Sequence, residues 1–450
     1  MQETLALATF VAETRFADLP PSLVAECKIN VLDACGAGFV GASLPWAQAV
    51  VGLVRDLGGA SEAVVLGSPW RTDVSRAALA NGALIGAFEC EPLTGSHAAG
   101  TVLPAALALA ERERASGQAL LTALAVGYEL SGRLQRTAVG LEHTRGFHNP
   151  GTQGPFGAAA AAGSLLGFDA ARMAAALGLA GSCAAGLLEF AWKGADTKRV
   201  HLGRASQLGL ESALLAARGL VGPDTVLEGP YGYFKAFSEP TDLGQLTDGL
   251  GRRWIIQPPS HKAYGTHVTQ QSVVAAIQAW KAAGGADPAA ITALSIRGIP
   301  RIMEDRHAVR DPETVMGGQY SLPFTTAVAL TRDLDQPLNY DAAAVADPQV
   351  RRLAALVELI PEPPAEPPGQ HVFPAEITIT CGDAVHKLRT SPHKGSPVNP
   401  LTWADAAEKF ARYAGTLLPP AQVASIVAAV ETLEQAPDVA PVAALLAGRA

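Results

Sequence analysis

The stretch Val102-Leu-Pro-Ala-Ala-Leu-Ala-Leu-Ala-Glu-Arg-Glu-Arg114 decides the fold class of this chain. Its apolar residues recur at the spacing of a helix, at Val102, Leu103, Ala106, Leu107 and Ala110. Pro104 fits the first turn of such a helix, and the charged run Glu111–Arg114 follows the apolar residues. The stretch therefore predicts a helix that begins near Val102.

The flanking sequence repeats this helical pattern. Gln118–Gln135 again carries apolar side chains at helical spacing, and Asp169 is a suitable N-cap for a helix over Ala170–Leu179. Ala and Gly are abundant in this half of the chain, so that helices can approach one another closely. We therefore predict a compact bundle of helices up to about residue 260.

The pattern changes beyond that point. Ile291–Ile299 alternates as a strand does, and Glu376–Thr390 predicts a hairpin that turns at Gly382-Asp383. Further helices are predicted at Thr325–Leu334, Val350–Ile360, Trp403–Tyr413 and Pro420–Leu433. The proline-rich connector Pro361–Pro368 is expected to be stiff and extended.

These patterns predict a mainly α fold with a mixed α/β insert. We assign residues 1–260 to a helical domain, 261–395 to a smaller α/β domain, and 396–450 to C-terminal helices that return to the helical domain. With 450 residues, the chain is long enough for two or three domains.

Composition excludes several classes of protein. The chain is 48% hydrophobic and only 17% charged, which predicts a large buried core rather than disorder. Its net charge of −8 argues against nucleic-acid binding, because binding phosphates requires an excess of Lys and Arg. The five cysteines form no C-x-x-C pair, the amino terminus has no signal-peptide pattern, and no apolar stretch is long enough for a membrane span. We therefore predict a cytoplasmic location.

Four polar stretches are candidates for chemistry. The first, Phe88–His97, holds Glu89, Glu91 and His97 in a loop of small residues. Carboxylates near a histidine can share or orient a proton; the alternative, which the motif judged alone favours, is a surface loop with solvated acids. The second, Gly146–Gly157, contains His148; its glycines lack the preceding strand and the Gly-Lys-Ser/Thr ending of a phosphate loop.

The other two stretches are rich in basic residues. In Lys193–Arg204, the side chains of Lys198, Arg199, His201 and Arg204 are the candidates, and a helix would bring the last two onto one face. The stretch His261–His267 contains Lys262 and two histidines just before a helix, an arrangement that suits the capture of an anion.

Three absent patterns narrow the choice of chemistry. The sequence has no H-E-x-x-H or similar metal-ligand spacing, no G-x-S-x-G nucleophile elbow and no dinucleotide fingerprint. What remains is proton transfer by His and Lys on a small anionic substrate, with no cofactor and no metal.

Several of these stretches resemble the MmgE/PrpD family. The similar segments are Asn81–Leu84, Val102–Ala106, Gly146–His148, Lys198–Arg204, Glu228–Pro230, Tyr320–Pro323 and Asn399–Trp403, in family order over nearly the whole chain. The resemblance implies a large helical domain built from both chain ends, a smaller α/β lid domain, and a homodimer. It also implies that substrate carboxylates are held, and a proton is moved beside one of them, by His97, His148, Lys198, Lys262 and His267. To substrate binding we assign Glu89, Glu91, Arg199, His201, Arg204, Tyr320 and Phe324.

The chain departs from the family pattern at two places. Glu89-Cys-Glu-Pro-Leu93 replaces the Asp-x-Asp-Asp-Thr of many relatives, and Phe324 replaces a tyrosine that decarboxylase members use. The missing phenol weighs against decarboxylation, with Tyr320 as a possible substitute. Our leading hypothesis is a cofactor-independent dehydratase of the 2-methylcitrate dehydratase type. The alternatives are an epimerase like iminodisuccinate epimerase, a decarboxylase, and a non-catalytic relative.

Overall fold

The fold is dominated by helices. The computed structural model describes residues 2–142, 144–364 and 371–448. The helices of the first half are α1 (Glu3–Glu13), α2 (Pro21–Ala42), α3 (Pro45–Leu57), α4 (Val74–Ile85), α5 (Thr94–Thr101), α6 (Leu103–Arg112), α7 (Gly117–Thr137), α8 (Asn149–Leu165), α9 (Ala170–Gly181), α10 (Glu189–Lys193), α11 (Thr197–Ala217) and α12 (Tyr233–Phe237). The helix predicted near Val102 is confirmed as α6, and Asp169 caps α9 by accepting a hydrogen bond from the Arg172 backbone at 2.8 Å.

Small residues let the central helices touch. Where α4 crosses α11, a Cβ added to Gly203 would lie 2.2 Å from the carbonyl oxygen of Leu79. Where α8 meets α11, a Cβ added to Gly209 would lie 2.3 Å from the carbonyl oxygen of Pro155. Neither distance is possible for a real side chain, so both crossings require glycine. These contacts hold α11, and with it Lys198 and His201, against α4 and α8.

The second half contains a four-stranded sheet. Its helices are α13 (Gln271–Ala282), α14 (Val315–Tyr320), α15 (Leu322–Thr331), α16 (Ala342–Ala346), α17 (Pro348–Leu356), α18 (Trp403–Ala414), α19 (Pro420–Glu431) and α20 (Ala440–Ala444). After the short pair β1 (Ala63–Val64) and β2 (Arg71–Thr72), the strands are β3 (Ile291–Gly298), β4 (Val357–Pro361), β5 (Ala375–Cys381) and β6 (Ala384–Arg389). The sheet order is β4-β3-β5-β6, with only β3 and β4 parallel.

The strand at Ile291–Ile299 and the hairpin are confirmed as β3 and as β5 with β6. The predicted helix Val350–Ile360 is wrong in its last turn, because the helix ends at Leu356 and β4 follows. Val357 pairs with Leu294 of β3, and this long-range ladder overrides the local helical pattern. Of the connector Pro361–Pro368, residues 365–368 lie outside the described residues.

The C-terminal helices pack against the N-terminal ones. The Phe410 ring of α18 lies 6.1 Å from the Phe39 ring of α2, and both side chains are buried. One apolar core extends from these helices to the buried face of the sheet. Among the described helices, none is by itself long and apolar enough to cross a membrane; only α2 and α3 taken together pass that criterion, and they are bent by 90°.

Candidate active site

Two strained turns carry the acidic residues and His97 into the interior. Glu89 has a φ of 58°, in the left-handed region that non-glycine residues avoid. Gly95, Ser96 and His97 follow with φ values of 59°, 63° and 59°, a left-handed turn inside α5. Strain of this kind concentrates at functional sites, where the surrounding packing enforces it.

Two carboxylates and two ammonium groups meet in the interior. The Lys262 Nζ lies 2.9 Å from Glu89 Oε2 and 3.2 Å from Glu91 Oε1, and the Lys198 Nζ contacts Glu89 and lies 4.0 Å from Glu91. All four side chains are at most 1% exposed. Glu91 Oε1 also lies 2.7 Å from His97 Nδ1. Buried charges are tolerated only when paired in this way.

This pairing fixes the charge of Glu91. Burial alone would raise its pKa, but the Lys262 ammonium and the hydrogen bond from His97 hold the pKa of Glu91 at about 2. Burial, and then the charges of Lys262 and Arg199, lower the pKa of Lys198. A carboxylate in contact with an amine favours its charged form, and Glu89 is in such contact with Lys198.

His148 and His201 form a hydrogen-bonded pair next to these charges. Their Nδ1 atoms are 3.0 Å apart, and the His148 ring lies 6.3 Å from that of His97. Burial, followed by His201, lowers the pKa of His148, and burial, followed by Lys198, lowers the pKa of His201 to about 4. Both rings are therefore neutral at pH 7. His148 also sits at the N-cap of α8, where the helix dipole disfavours a cation.

A second aromatic and imidazole group forms the adjoining wall. The His267 ring lies 4.7 Å from the Tyr320 ring and 4.5 Å from the His307 ring, and the Lys198 Nζ lies 5.6 Å from the Tyr320 ring. Phe190 connects this wall to His148, with ring distances of 5.9 Å to Tyr320 and 5.0 Å to His148. We call the whole set the site cluster: Glu89, Glu91, His97, His148, Phe190, Lys198, His201, Lys262, His267, His307 and Tyr320.

The cluster brings together nine of the twelve residues assigned from the sequence. Arg204 is exposed and donates to Gln207, and Phe324 lies in the apolar core with its ring 6.4 Å from Tyr340. The Arg199 guanidinium stacks on Trp46 and donates to Asp196 and to the Ala87 carbonyl oxygen. Its contacts therefore brace the chain just before Glu89.

Sequence reasoning missed His307, Arg306 and a group of charges behind the cluster. His261 lies 2.7 Å from Asp33 Oδ2 and 2.9 Å from Glu26 Oε1, and the Lys409 Nζ lies 2.5 Å from Asp33 Oδ1. Lys409 also donates to the carbonyl oxygens of Cys90 and Lys262, at 3.1 and 2.6 Å. We call Glu26, Asp33, His261 and Lys409 the back network. Acidic residues inside the otherwise apolar α2 are the signal that could have indicated it.

The back network keeps its histidine charged. Burial would lower the pKa of His261, but Glu26 and Asp33 raise it to about 9. Within the described ranges, no three His, Cys, Asp or Glu side chains come together in a way that could hold a metal ion.

Comparison with known proteins identifies the family. The chain is similar to the cis-aconitate decarboxylase of Homo sapiens, with 29% identity over 99% of this chain and 94% of the relative. It is similar to that of Mus musculus, with 28% identity over 96% and 90%, and to that of Aspergillus terreus, with 32% identity over 53% and 51%. The MmgE/PrpD N-terminal domain model matches residues 5–246, and the MmgE/PrpD C-terminal domain model matches residues 264–435. The chain therefore belongs to the MmgE/PrpD family.

Proposed function

We propose that this chain is a lyase that acts on a small di- or tricarboxylate by proton transfer at a carbon beside a carboxylate. The observation that carries this proposal is the buried contact of two lysines with two glutamates, next to neutral histidines. Lysines can hold substrate carboxylates, and neutral imidazoles can accept or return protons.

The lysines have donors to spare for a substrate. Each ammonium group has three N–H donors. Lys262 uses two of them on Glu89 and Glu91, and Lys198 uses one on Glu89. The other donors have no partner in the part of the chain that the structure describes. They are available to a substrate carboxylate, and a positive charge held there stabilises negative charge that develops on the carbon beside that carboxylate.

The histidine pair can exchange protons with the substrate. In a neutral Nδ1 to Nδ1 hydrogen bond, one ring donates and the other accepts. The donating ring therefore has a bare Nε2, which is a base, and the accepting ring carries a proton on Nε2, which is an acid. His148 and His201 together thus offer both functions next to Lys198.

Decarboxylation of a cis-aconitate-like tricarboxylate is the first candidate reaction. Two relatives that align with almost the whole chain, those of Homo sapiens and Mus musculus, are named cis-aconitate decarboxylases. In this reaction a carbon–carboxylate bond breaks, CO₂ leaves, the electron pair stays on the substrate carbon, and an imidazole N–H supplies a proton. Tyr320, 5.6 Å from the Lys198 Nζ, offers the phenol that Phe324 lacks.

Dehydration of a hydroxy acid is the second candidate, and one observation favours it. The His148–His201 pair offers both a base for the carbon-bound proton and an acid for the departing hydroxyl group. An epimerase would use the same base and return the proton to the opposite face.

Proton NMR in deuterated buffer separates these reactions. We expect the purified protein to convert cis-aconitate into a dicarboxylate that carries one new deuterium, with release of CO₂. A new alkene from citrate-like or malate-like acids would support dehydration instead. Deuterium uptake without a new compound would support epimerisation. Absence of exchange and of turnover with every one of these acids would contradict the proposal.

A further inference from the structure

Near His307, in one wall of the site cluster, buried polar atoms have no hydrogen-bond partner among the described residues. His307 is fully buried, and its Nδ1 donates to the carbonyl oxygen of Tyr320 at 2.9 Å. Its Nε2 is therefore unprotonated in the neutral ring, and that buried atom has no hydrogen-bond partner among the described residues. An orphaned buried atom costs stability, so it requires an explanation.

Arg306, the preceding residue, has the same property. Its Nε lies 3.1 Å from Glu304 Oε2, and its side chain is 11% exposed. Its Nη2 is buried and has no partner within the described ranges. An unpaired buried N–H of Arg306 and the bare nitrogen of His307 are a donor and an acceptor that a polar ligand can pair.

The positive charge of Arg306 acts on two residues of the site cluster, His267 and Tyr320. After burial and His307, Arg306 is the next cause that lowers the pKa of His267. After burial, it is also the first of the charges that act on Tyr320. The ring of His307, next in sequence, lies 4.5 Å from His267 and 5.9 Å from Tyr320. The Arg306 guanidinium is thus close to the wall formed by His267, His307 and Tyr320.

We propose that Arg306 binds a carboxylate of the substrate that is remote from the reacting carbon, and so selects tricarboxylates over dicarboxylates. This inference rests on the proposed function, because it assumes that Lys198 and Lys262 hold the other carboxylates. A planar guanidinium fits a carboxylate better than an ammonium does, and a charge-assisted contact of this kind in a buried site is strong.

Calorimetric binding of two unreactive compounds tests the proposal. Propane-1,2,3-tricarboxylate has neither a double bond nor a hydroxyl group to lose, and glutarate lacks its third carboxylate. We expect Arg306→Gln to weaken binding of the tricarboxylate by about tenfold or more and binding of glutarate by less than about threefold. Arg310→Gln is the matched control. It removes the same charge four residues later, where an exposed Arg310 donates to the Val357 carbonyl oxygen, and should leave both affinities within twofold.

A thermal measurement separates binding from a structural role. The Nη2 of Arg306 has no partner among the described residues, and the ion pair of its Nε is with a partly exposed Glu304, which contributes little stability. Arg306→Gln should therefore leave the melting temperature of the free protein nearly unchanged, while the shift caused by the tricarboxylate shrinks. Arg306→Lys keeps the positive charge but loses the paired N–H donors of the guanidinium, so it should give an intermediate affinity for the tricarboxylate. This variant replaces Arg306→Gln in the test if the Gln variant does not fold.

The possible failures are distinguishable. If the unaltered protein binds neither compound, the proposed function is wrong, and so is this inference. If the unaltered protein binds both, and the variants keep the same preference for the tricarboxylate, only the assignment of Arg306 is wrong. A lower melting temperature of free Arg306→Gln with an unchanged affinity ratio would make Arg306 a structural residue.

Discussion

His261 and Lys262 are adjacent in sequence, yet they belong to regions with opposite electrostatics. In the back network, His261 lies between two carboxylates and stays charged, and Lys409 completes its three donors on Asp33, Cys90 and Lys262. In the site cluster, His148, His201 and His267 lie near lysines and other histidines, and their pKa values are lowered. Several buried polar atoms there have no hydrogen-bond partner among the described residues. The same residue types thus use all their donors in the back network, whereas in the site cluster some lysine donors have no partner among the described residues.

Removing a site lysine should give the largest effect. Lys198→Met deletes a cation that is 1% exposed and in contact with Glu89, so turnover should fall by about 10³-fold. Steady-state kinetics on whichever acid is turned over measures the change. Lys193→Met removes an exposed lysine from the same stretch and should stay within twofold. Comparable losses in both variants would show that the site cluster does not act as we describe.

Removing the back-network histidine should affect stability more than chemistry. His261→Gln removes the buried cation between Glu26 and Asp33, and of these two carboxylates Asp33 keeps its ion pair with Lys409, so the free energy of unfolding should fall by about 3 kcal/mol or more. Denaturant unfolding measures this change, with the half-buried His386→Gln as the control. By contrast, His148→Gln should lower turnover by about 10²-fold or more and change stability little. The reverse pattern would break the distinction between the two regions.

The two regions should also respond to pH in opposite directions. His261 has a pKa of about 9 in the folded chain, so its contribution of about 3 kcal/mol is present below pH 6.5 and is lost as pH rises through 9. His307 has a pKa of about 4, so the unfolded chain binds more protons between pH 6.5 and 4, and stability falls as pH drops through that range. Unfolding measured from pH 4 to pH 9.5 should show both losses.

His261→Gln sharpens this test, because it should remove most of the alkaline loss and leave the acid loss in place. An unchanged alkaline limb in His261→Gln would assign that loss to other groups and would contradict the charged state of the back network.

The smallest effect is expected at Arg204. This exposed side chain donates to Gln207 at 3.0 Å, so Arg204→Ala should leave turnover within twofold and the free energy of unfolding within about 0.5 kcal/mol. Kinetics and denaturant unfolding measure both quantities. A large loss of turnover would mean that the cluster extends to the outer surface of α11.

Local patterns account for most of what the sequence predicted. Helix α6 and the β5–β6 hairpin follow from side-chain spacing and turn residues that lie close together in the chain. The strand β4 could not be found in this way, because it depends on pairing with β3, more than sixty residues earlier. Arg204 lies three residues after His201, yet the boundary between buried and exposed surface falls between them.

The same contrast holds for the site. Lys198, Lys262 and His148 stand in dense polar stretches and were predicted, although their mutual distances were not. Arg306 and His307 belong to a charged turn that has no distinctive sequence pattern. Their place at the site is visible only from the contacts of the His307 ring with His267 and Tyr320. Side-chain type is visible in a sequence, whereas the number of unused donors is a property of the folded chain.

The position of Lys409 determines when the site can form during translation. This residue, on the first of the C-terminal helices, ties the backbone beside Glu89 and Glu91 to the backbone of Lys262. While Lys409 is still inside the ribosome, the residues of the site cluster are already synthesised, but the hydrogen bonds from Lys409 to the carbonyl oxygens of Cys90 and Lys262 cannot yet form. Activity should therefore arise only after Lys409 has left the ribosome and has packed against Cys90 and Lys262.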